Sequence, residues 1–234
     1  MTSIEFSTFL HGISKDPLPV LDANLSLTDY ILIDLSIDNF ELHQLDVSSS
    51  DDLHSFIQNI VQRSNASVAY GGYNEIRNIY QRSSHFNKLD IETERNIHLG
   101  MDLWQPSQAP IFAPLEGFVH SFRNNTNYGD YGPTIILEHH IKDVIFYTLY
   151  GHLSMESITN LTKGQKFLKG EQLATLGDAS VNGDYPPHLH FQIIKDLGKW
   201  EGDYPGVCNK KDLEFYLENC PDPNLLLKFG ITSF

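Results

Sequence analysis

The feature that most constrains the fold is a run of short β-prone segments between residues 95 and 195, separated by brief turns. The segments are rich in β-branched and aromatic residues, and Gly, Pro or Asn bound them. Connections this short leave no room for the crossover helices that parallel strands need, so we expect an antiparallel sheet. The predicted strands are 111–113, 117–123, 134–140, 144–150, 173–176 and 189–194.

The sequence before this β-rich stretch mixes helix and strand signals. Apolar residues at helical spacing predict a helix over 52–61, with Ser50 or Asp51 as its N-cap. Ahead of that helix, 30–35 is typical of a buried strand and 38–47 of a strand with alternating polarity.

The chain as a whole is expected to be mainly β, of the α+β class, with an antiparallel sheet as its core. We expect an α+β N-terminal extension of unknown role at 1–90 and a β domain at 91–195. A short helix near 213–217 belongs to a C-terminal wrap that spans 196–234.

The net charge narrows the range of partners. Thirty Asp and Glu against sixteen Lys and Arg give a net charge of −14 at pH 7, and such a surface repels the phosphates of nucleic acids.

No apolar run reaches the roughly 18 residues of a membrane span, and no signal peptide is visible. We expect a cytoplasmic protein, or an extracytoplasmic one if a leader has been removed. Whether Cys208 and Cys220 pair stays open, as does the oligomeric state.

Candidate chemistry lies in three short motifs. I-H-L-G-M-D contains His98 and Asp102, Y-G-H-L contains His152, and P-H-L-H-F contains His188 and His190. Residues i and i+2 of a strand share a face, so the last two histidines project together. Two imidazoles and one carboxylate are typical of a catalytic zinc site that keeps one position for water.

Other histidines have simpler explanations. A single histidine is usually a surface or satisfied core residue, which we expect of His11, His43, His54, His85 and His120. An H-x-H strand also occurs in cupin-like oxygenases, which prefer Fe(II) and need an acidic ligand that this sequence does not supply. That class is therefore disfavoured.

The ordered motifs resemble the lysostaphin-type (LytM-like) zinc metallopeptidases, which include peptidoglycan endopeptidases. The resemblance covers about 95–195 and includes the hairpin K-G-Q-K-F-L-K-G between the second and third motifs. It implies zinc held by His98, Asp102 and His190, with His152 and His188 as catalytic histidines. The implied activity is hydrolysis of a peptide or peptidoglycan-like substrate by a zinc-activated water, with His188 favoured as the general base.

Some features leave alternatives open. The approach to the last motif is Y-P-P, where many members of the family have Gly-Pro, so the substrate preference is expected to differ. A catalytically inactive binding or regulatory module of the same fold is the alternative function. Two further options concern the metal site: an N-terminal pro-segment that blocks the zinc, and, separately, an additional ligand from Asn124, Asn125 or His85.

Four residues near the motifs carry weaker expectations. We expect His139 to pack or to support the site from behind the ligands, and Tyr128 and Tyr131 to be surface turn residues rather than oxyanion donors. Arg95 either pairs with a carboxylate near the metal or lies on the surface.

Overall fold

The computed structural model describes residues 1–82 and 92–230. Its strands, in chain order, are β1 (Tyr30–Leu32), β2 (Val68–Gly71), β3 (Ile97–His98), β4 (Met101–Trp104), β5 (Pro110–Phe112), β6 (Gly117–Asn125), β7 (Gly132–Ile141), β8 (Val144–Gly151), β9 (Lys166–Phe167), β10 (Gln172–Thr175), β11 (His188–Ile194) and β12 (Val207–Cys208).

The helices are short and lie mostly near the two ends of the chain. Within the described residues, no helix combines the length and the hydropathy that a membrane crossing requires. The α-helices are α1 (Ser3–His11), α2 (Ser50–Arg63), α3 (Glu156–Thr159), α4 (Leu213–Asn219) and α5 (Asn224–Leu227), and three 3-10 turns cover Leu27–Asp29, Phe40–Gln44 and Ile79–Arg82.

An eight-stranded sheet in the order β1-β2-β4-β11-β8-β7-β6-β9 forms the centre of the molecule. All of its pairs are antiparallel except β1 with β2, which run parallel. Two further antiparallel pairs, β10 with β5 and β12 with β3, flank it. The six predicted strands are all present, each within two residues of its predicted bounds, and the mainly β fold class is confirmed.

The N-terminal part confirms one predicted element and corrects another. Helix α2 is present, although Ser49 rather than Ser50 or Asp51 caps it. The prediction of a strand over 38–47 is wrong, because a 3-10 turn occupies Phe40–Gln44. Asn39 explains the difference, since its side chain accepts a hydrogen bond from the Glu41 amide and so favours the turn over an extended chain.

Both faces of the sheet are covered. Alternate residues of β7 enter different clusters: Ile135 and Leu137 pack with α1 and α5, whereas Ile136 packs with the C-terminal segment. The second cluster contains Cys208 and Cys220, which are buried free thiols. Helix α2 packs in a third cluster with residues of β2 and β4. The flanking segments therefore cover the central strands and bound any cleft at the strand ends.

His139 lies fully buried on β7, where packing was expected for it. Its Nδ1 lies 2.8 Å from the Glu116 carbonyl oxygen, and its Nε2 lies 2.7 Å from Thr148 Oγ1. Burial lowers the pKa of His139 to about 4, although the hydrogen bond to Glu116 opposes that shift. The ring is therefore neutral in the folded protein near neutral pH.

Because the His139 ring is neutral in the folded protein, we expect the folded state to lose stability in acid. The ordinary histidine pKa of 6.5 applies to the unfolded chain, which therefore binds more protons than the folded one between pH 6.5 and about 4. Stability is complete above the unfolded pKa and falls as the pH drops through this window. Over that range, the free energy of unfolding should fall for both proteins. The fall should be about 2–3 kcal/mol smaller for His139→Gln than for wild type.

Urea denaturation at pH 7 and at pH 4, with a chelator present, measures this difference. His140→Gln is the matched control, because it changes an exposed histidine on the same strand and leaves the buried ring in place. Equal acid sensitivity of His139→Gln and wild type would contradict the assignment.

Candidate metal centre

Strand pairing brings the predicted site residues together. In the antiparallel register of β4 with β11, Asp102 lies directly opposite His190. The other neighbour of β11 is β8, and His152 follows the end of that strand. His98, on β3, and His188, at the start of β11, complete the group. All five side chains are buried at the base of one cleft.

Three of these residues direct one donor atom each at a common point. His98 Nε2 lies 2.9 Å from His190 Nδ1, which lies 3.1 Å from Asp102 Oδ1. The distance from His98 Nε2 to Asp102 Oδ1 is 3.3 Å. Ligands bound tetrahedrally to zinc at about 2.0–2.1 Å are separated by about 3.3 Å. The observed spacing therefore suits a divalent metal ion such as zinc.

Hydrogen bonds on the far side of each ring fix which nitrogen carries the proton. His98 Nδ1 lies 2.9 Å from the Gly72 carbonyl oxygen, and His190 Nε2 lies 3.0 Å from Gln192 Oε1. These oxygens accept, so the protons reside on those nitrogens and the lone pairs of the others face Asp102. Three converging lone pairs repel one another unless a cation lies between them, and outer partners of this kind are typical of metal ligands.

The electrostatic environment keeps His98 and Asp102 in the protonation states that metal binding requires. Burial lowers the pKa of His98 to about 4, so this imidazole is neutral. Burial by itself raises the pKa of Asp102, but the neighbouring His98 imidazole and the Arg77 guanidinium hold that pKa well below its usual range. Metal binding requires neutral imidazole and ionised carboxylate, and the fold supplies both near neutral pH.

His152 and His188 form a second pair beside the donor atoms. Their ring centroids are 4.2 Å apart, and His188 Nε2 lies 3.8 Å from Asp102 Oδ1. Each Nδ1 contacts a backbone carbonyl, of Asn182 at 2.8 Å and of Pro186 at 2.7 Å respectively. The Nε2 of each ring is therefore left as the basic nitrogen. Burial lowers the pKa of both histidines.

The backbone of His152 adopts an uncommon conformation. Its φ is +63°, in the left-handed region that residues other than glycine seldom occupy. Its amide donates to the Tyr131 carbonyl, and its own carbonyl accepts from the Gly177 amide, both at 2.9 Å. These two bonds hold the strained residue at the end of β8, where its ring reaches His188.

Steric contact with the His190 ring explains why glycine occupies position 100, between His98 and Asp102. A Cβ at Gly100 would lie 2.5 Å from Cε1 and 2.6 Å from Nε2 of the His190 ring. The ring thus packs directly on the backbone of residue 100, which excludes every other side chain. The glycine in the motif I-H-L-G-M-D is therefore explained by the close approach of the His190 ring.

The flanking parts of the chain complete the walls of the cleft. Its volume is about 190 Å³, and Trp104 stacks on the His188 ring with 5.6 Å between centroids. Residues from before and after the β domain line its two sides: Leu35, Leu53, Arg77, Ile79 and Tyr80 on the N-terminal side, and Trp200, Asp203, Tyr204, Pro205, Gly206 and Val207 on the C-terminal side.

Some weaker expectations are corrected here. Tyr131 is buried with its hydroxyl 3.4 Å from His190 Nε2, so the surface assignment was wrong, whereas Tyr128 is exposed as expected. Arg95 lines the cleft and donates through Nε to the Val207 carbonyl. The Asn125 amide donates to Thr134 and Gly202 instead of approaching the metal donors, and His85 lies outside the described residues.

Sequence analysis did not identify several residues that support the candidate metal site. Gly72, Arg77 and Gln192 contact the three donor residues from behind, yet none stands in a motif that signals this role. The nearest signal for Gln192 is its position two residues after His190, which places it on the same face of β11. No local pattern marks the other two, since they lie more than 20 residues before the ligands they contact.

Comparisons with known proteins relate part of the chain to a family of peptidases. Residues 96–202 match the sequence profile of Peptidase family M23. Over 98 residues the chain is 31% identical to the peptidoglycan DD-endopeptidase ShyA of Vibrio cholerae, an alignment that spans 42% of this chain and 20% of that relative. The segment from 96 to 202 is thus similar in sequence to the LytM-like peptidases of family M23.

Solved structures of similar fold include two peptidases. The catalytic domain of lysostaphin from Staphylococcus simulans is 20% identical, with a TM-score of 0.40 over 70% of this chain and 96% of that one. A zinc-containing peptidase from Vibrio cholerae is 24% identical, with a TM-score of 0.35 over 53% of this chain and 36% of that one.

The contact between Gly100 and His190 predicts the effect of adding one methyl group. Gly100→Ala should displace the His190 ring and weaken Zn²⁺ binding on the order of 10- to 100-fold, measured by competition with a chromophoric chelator. Gly170→Ala is the control, because its φ is +78° with nothing within 4 Å of the added methyl group. It should cost about 1 kcal/mol of stability without changing metal affinity. Unaltered affinity in Gly100→Ala would refute the packing argument.

Proposed function

We propose that this protein is a zinc-dependent peptide hydrolase in which His98, Asp102 and His190 hold the metal, and His152 and His188 are catalytic. One observation carries the proposal: three donor atoms converge within 3.3 Å of one another beside the imidazole rings of His152 and His188 in the same cleft. A purely structural zinc site would close its coordination shell, normally with thiolates, whereas this donor set leaves a position for water.

When bound, zinc lowers the pKa of a water molecule toward about 7 and polarises a peptide carbonyl. The chain's own contribution is a fixed proton acceptor next to that position. His188 Nε2 is suited to this task, because it lies 3.8 Å from the metal-facing oxygen of Asp102 and its Nδ1 is anchored on a backbone carbonyl. His188 is therefore assigned as the general base.

His152 is assigned as the second catalytic group. The two rings are in contact and both have lowered pKa values, so they share at most one proton. A proton accepted at His188 Nε2 can end on the leaving amine nitrogen. His152 stabilises the charge that develops on the carbonyl oxygen, or delivers that proton. Their shared burial keeps both rings neutral before substrate arrives.

The proposed substrate class is a peptide of the peptidoglycan type. The 31% identity to a peptidoglycan DD-endopeptidase supports this class, and the conjunction of peptidase family and donor geometry favours turnover over a binding module. The Tyr185-Pro186 segment lines the cleft next to His188. Many members of the lysostaphin-type family have Gly-Pro in this approach to the last motif. Side-chain preference near the scissile bond is therefore expected to differ from that of lysostaphin-type relatives.

The first experiment is elemental analysis of purified wild type and His190→Ala. We expect about one zinc per chain in wild type and its loss in the variant, because His190 supplies one of three donors. A folded wild type that takes up no zinc would refute the proposal. Hydrolysis is then assayed on purified peptidoglycan and on synthetic stem peptides, and a zinc-loaded protein that cleaves none of these would favour the binding module.

Substituting the second histidine pair separates catalysis from metal binding. We expect His188→Ala and His152→Ala to retain zinc but to lower kcat about 100- to 10,000-fold, the usual range for removal of a general acid or base. His140→Ala is the control, since that exposed histidine pairs with Glu138 away from the cleft. Loss of zinc from His188→Ala would instead place this residue among the ligands.

A further inference from the structure

We propose that Arg77, which precedes the family-matched segment, is a positioning residue that restricts Asp102 to one metal-facing oxygen. The inference rests on the proposed zinc site and concerns how that site keeps an open position. It assigns a role in the metal centre to the N-terminal part of the chain, whose purpose the sequence does not reveal.

The contact between Arg77 and Asp102 is short and fully enclosed. Arg77 Nη1 donates to Asp102 Oδ2 at 2.6 Å, and both side chains are at most 4% exposed. Oδ1 of the same carboxylate faces His98 and His190. The two oxygens therefore have different partners, one cationic side chain and one set of metal donors.

Arg77 is itself held by a carboxylate from its own segment. Its Nε donates to Glu75 Oε2, and its Nη1 lies 3.5 Å from the Tyr80 hydroxyl. Glu75 balances the charge of the guanidinium, which leaves the net charge of the donor set to Asp102. This geometry uses the forked shape of arginine, because one side chain bridges two carboxylates in fixed directions.

Backbone pairing fixes the segment against the ligand strand. The Arg77 amide donates to the Asn96 carbonyl, and the His98 amide donates to the Glu75 carbonyl, both at 2.9 Å. The Asn74 amide in turn donates to the His98 carbonyl at 2.9 Å. The segment that carries Arg77 therefore runs antiparallel to β3 and is joined to it by backbone hydrogen bonds.

The arrangement controls how many oxygens Asp102 offers. A carboxylate without a partner on Oδ2 can rotate and present both oxygens to a metal ion. With Oδ2 engaged by Arg77, only Oδ1 is available, so the three ligands contribute three donor atoms. A zinc ion held by these three atoms would keep one position for water or substrate, which a second Asp102 oxygen would otherwise fill.

Stability alone does not account for this arginine. A cation buried next to a metal site is costly to desolvate, and a well-packed apolar residue is often at least as stable as a buried ion pair. Arg77 also leaves Nη2 buried with no hydrogen-bond partner among residues 1–82 and 92–230. Nη2 lies against Gly72, where an added Cβ would come within 1.9 Å of it. The chain thus accommodates the arginine at a cost, which points to a role at Asp102.

The test compares variants in the full chain. Arg77→Met is combined with Glu75→Gln, so that Glu75 is not left as an unpaired carboxylate beside the substituted position, and Glu75→Gln alone is made alongside. We expect the double variant to bind Zn²⁺ about 10- to 100-fold more weakly than wild type, the usual effect of losing an outer partner of a metal ligand. Glu75→Gln alone should retain most of the affinity, because the contact between Arg77 and Asp102 remains.

Cobalt substitution reports on coordination directly. Co²⁺ in the wild-type site should give the intense visible bands of four-coordinate geometry, and these bands should weaken in the double variant as Asp102 supplies a second oxygen. Arg77→Lys should recover part of the Zn²⁺ affinity, since one ammonium can reach Asp102 but cannot bridge both carboxylates. Arg63→Met removes an exposed arginine paired with Glu41 and should change neither readout.

The outcomes are separable. A wild type that binds no zinc refutes the proposed function itself. A wild type that binds zinc, together with a folded double variant of unchanged Zn²⁺ affinity and Co²⁺ spectrum, overturns the role of Arg77 and leaves the proposed function intact. If the double variant does not fold, Arg77→Lys decides: weaker Zn²⁺ binding supports the role, and wild-type affinity overturns it.

Discussion

The antiparallel pairing of β4 with β11 is the constraint on which the rest of the site depends. It places Asp102 directly opposite His190, and the two-residue period of a strand puts His188 on the same face. Both strands are central in the sheet, with neighbours on either side. A shift of one residue would turn His190 away from Asp102, and the buried Leu189 and Phe191 oppose such a shift because they would have to leave the core.

Burial has a consistent effect across the site. It lowers the pKa values of His98, His152 and His188, whereas neighbouring positive charge keeps the Asp102 carboxylate ionised. The same low-polarity surroundings would be unfavourable for an unpaired carboxylate facing imidazole lone pairs. The contacts of Gly72 and Gln192 settle the tautomers in advance, so the donor atoms are oriented before any metal binds.

The segments outside the β domain belong to the same structural unit as the site. The N-terminal part contributes β1 and β2 to the central sheet and supplies Arg77 to Asp102. In the C-terminal part, α5 packs with α1, whereas Tyr204, Cys208 and Cys220 pack in the cluster on the other face, and Tyr204 also contributes to the cleft wall. The cleft is thus assembled from three regions of the chain, although the family match covers one of them. The walls of the cleft therefore include segments that the family match does not cover.

The sequence by itself determined the β-rich core and the three motifs, because strand periodicity, turn residues and the spacing of histidines are local patterns. It also determined that His188 and His190 share a face. It failed over 38–47, where the capping side chain of Asn39 outweighed the alternating pattern. It also misjudged Tyr131, whose glycine-rich surroundings suggested a surface turn although the residue is buried beside His190.

Only the tertiary structure decided how these motifs meet and what supports them. The partners of Asp102 lie 25 residues before it in the chain, at Arg77, and 88 residues after it, at His190. Contacts over such separations depend on sheet order and register, which no local window contains. The same holds for Gly100, whose necessity became clear only when the His190 ring was found packed against its backbone. Local sequence patterns identify the side chains of the candidate site. Long-range packing determines the distances between them, their tautomers and their charge states.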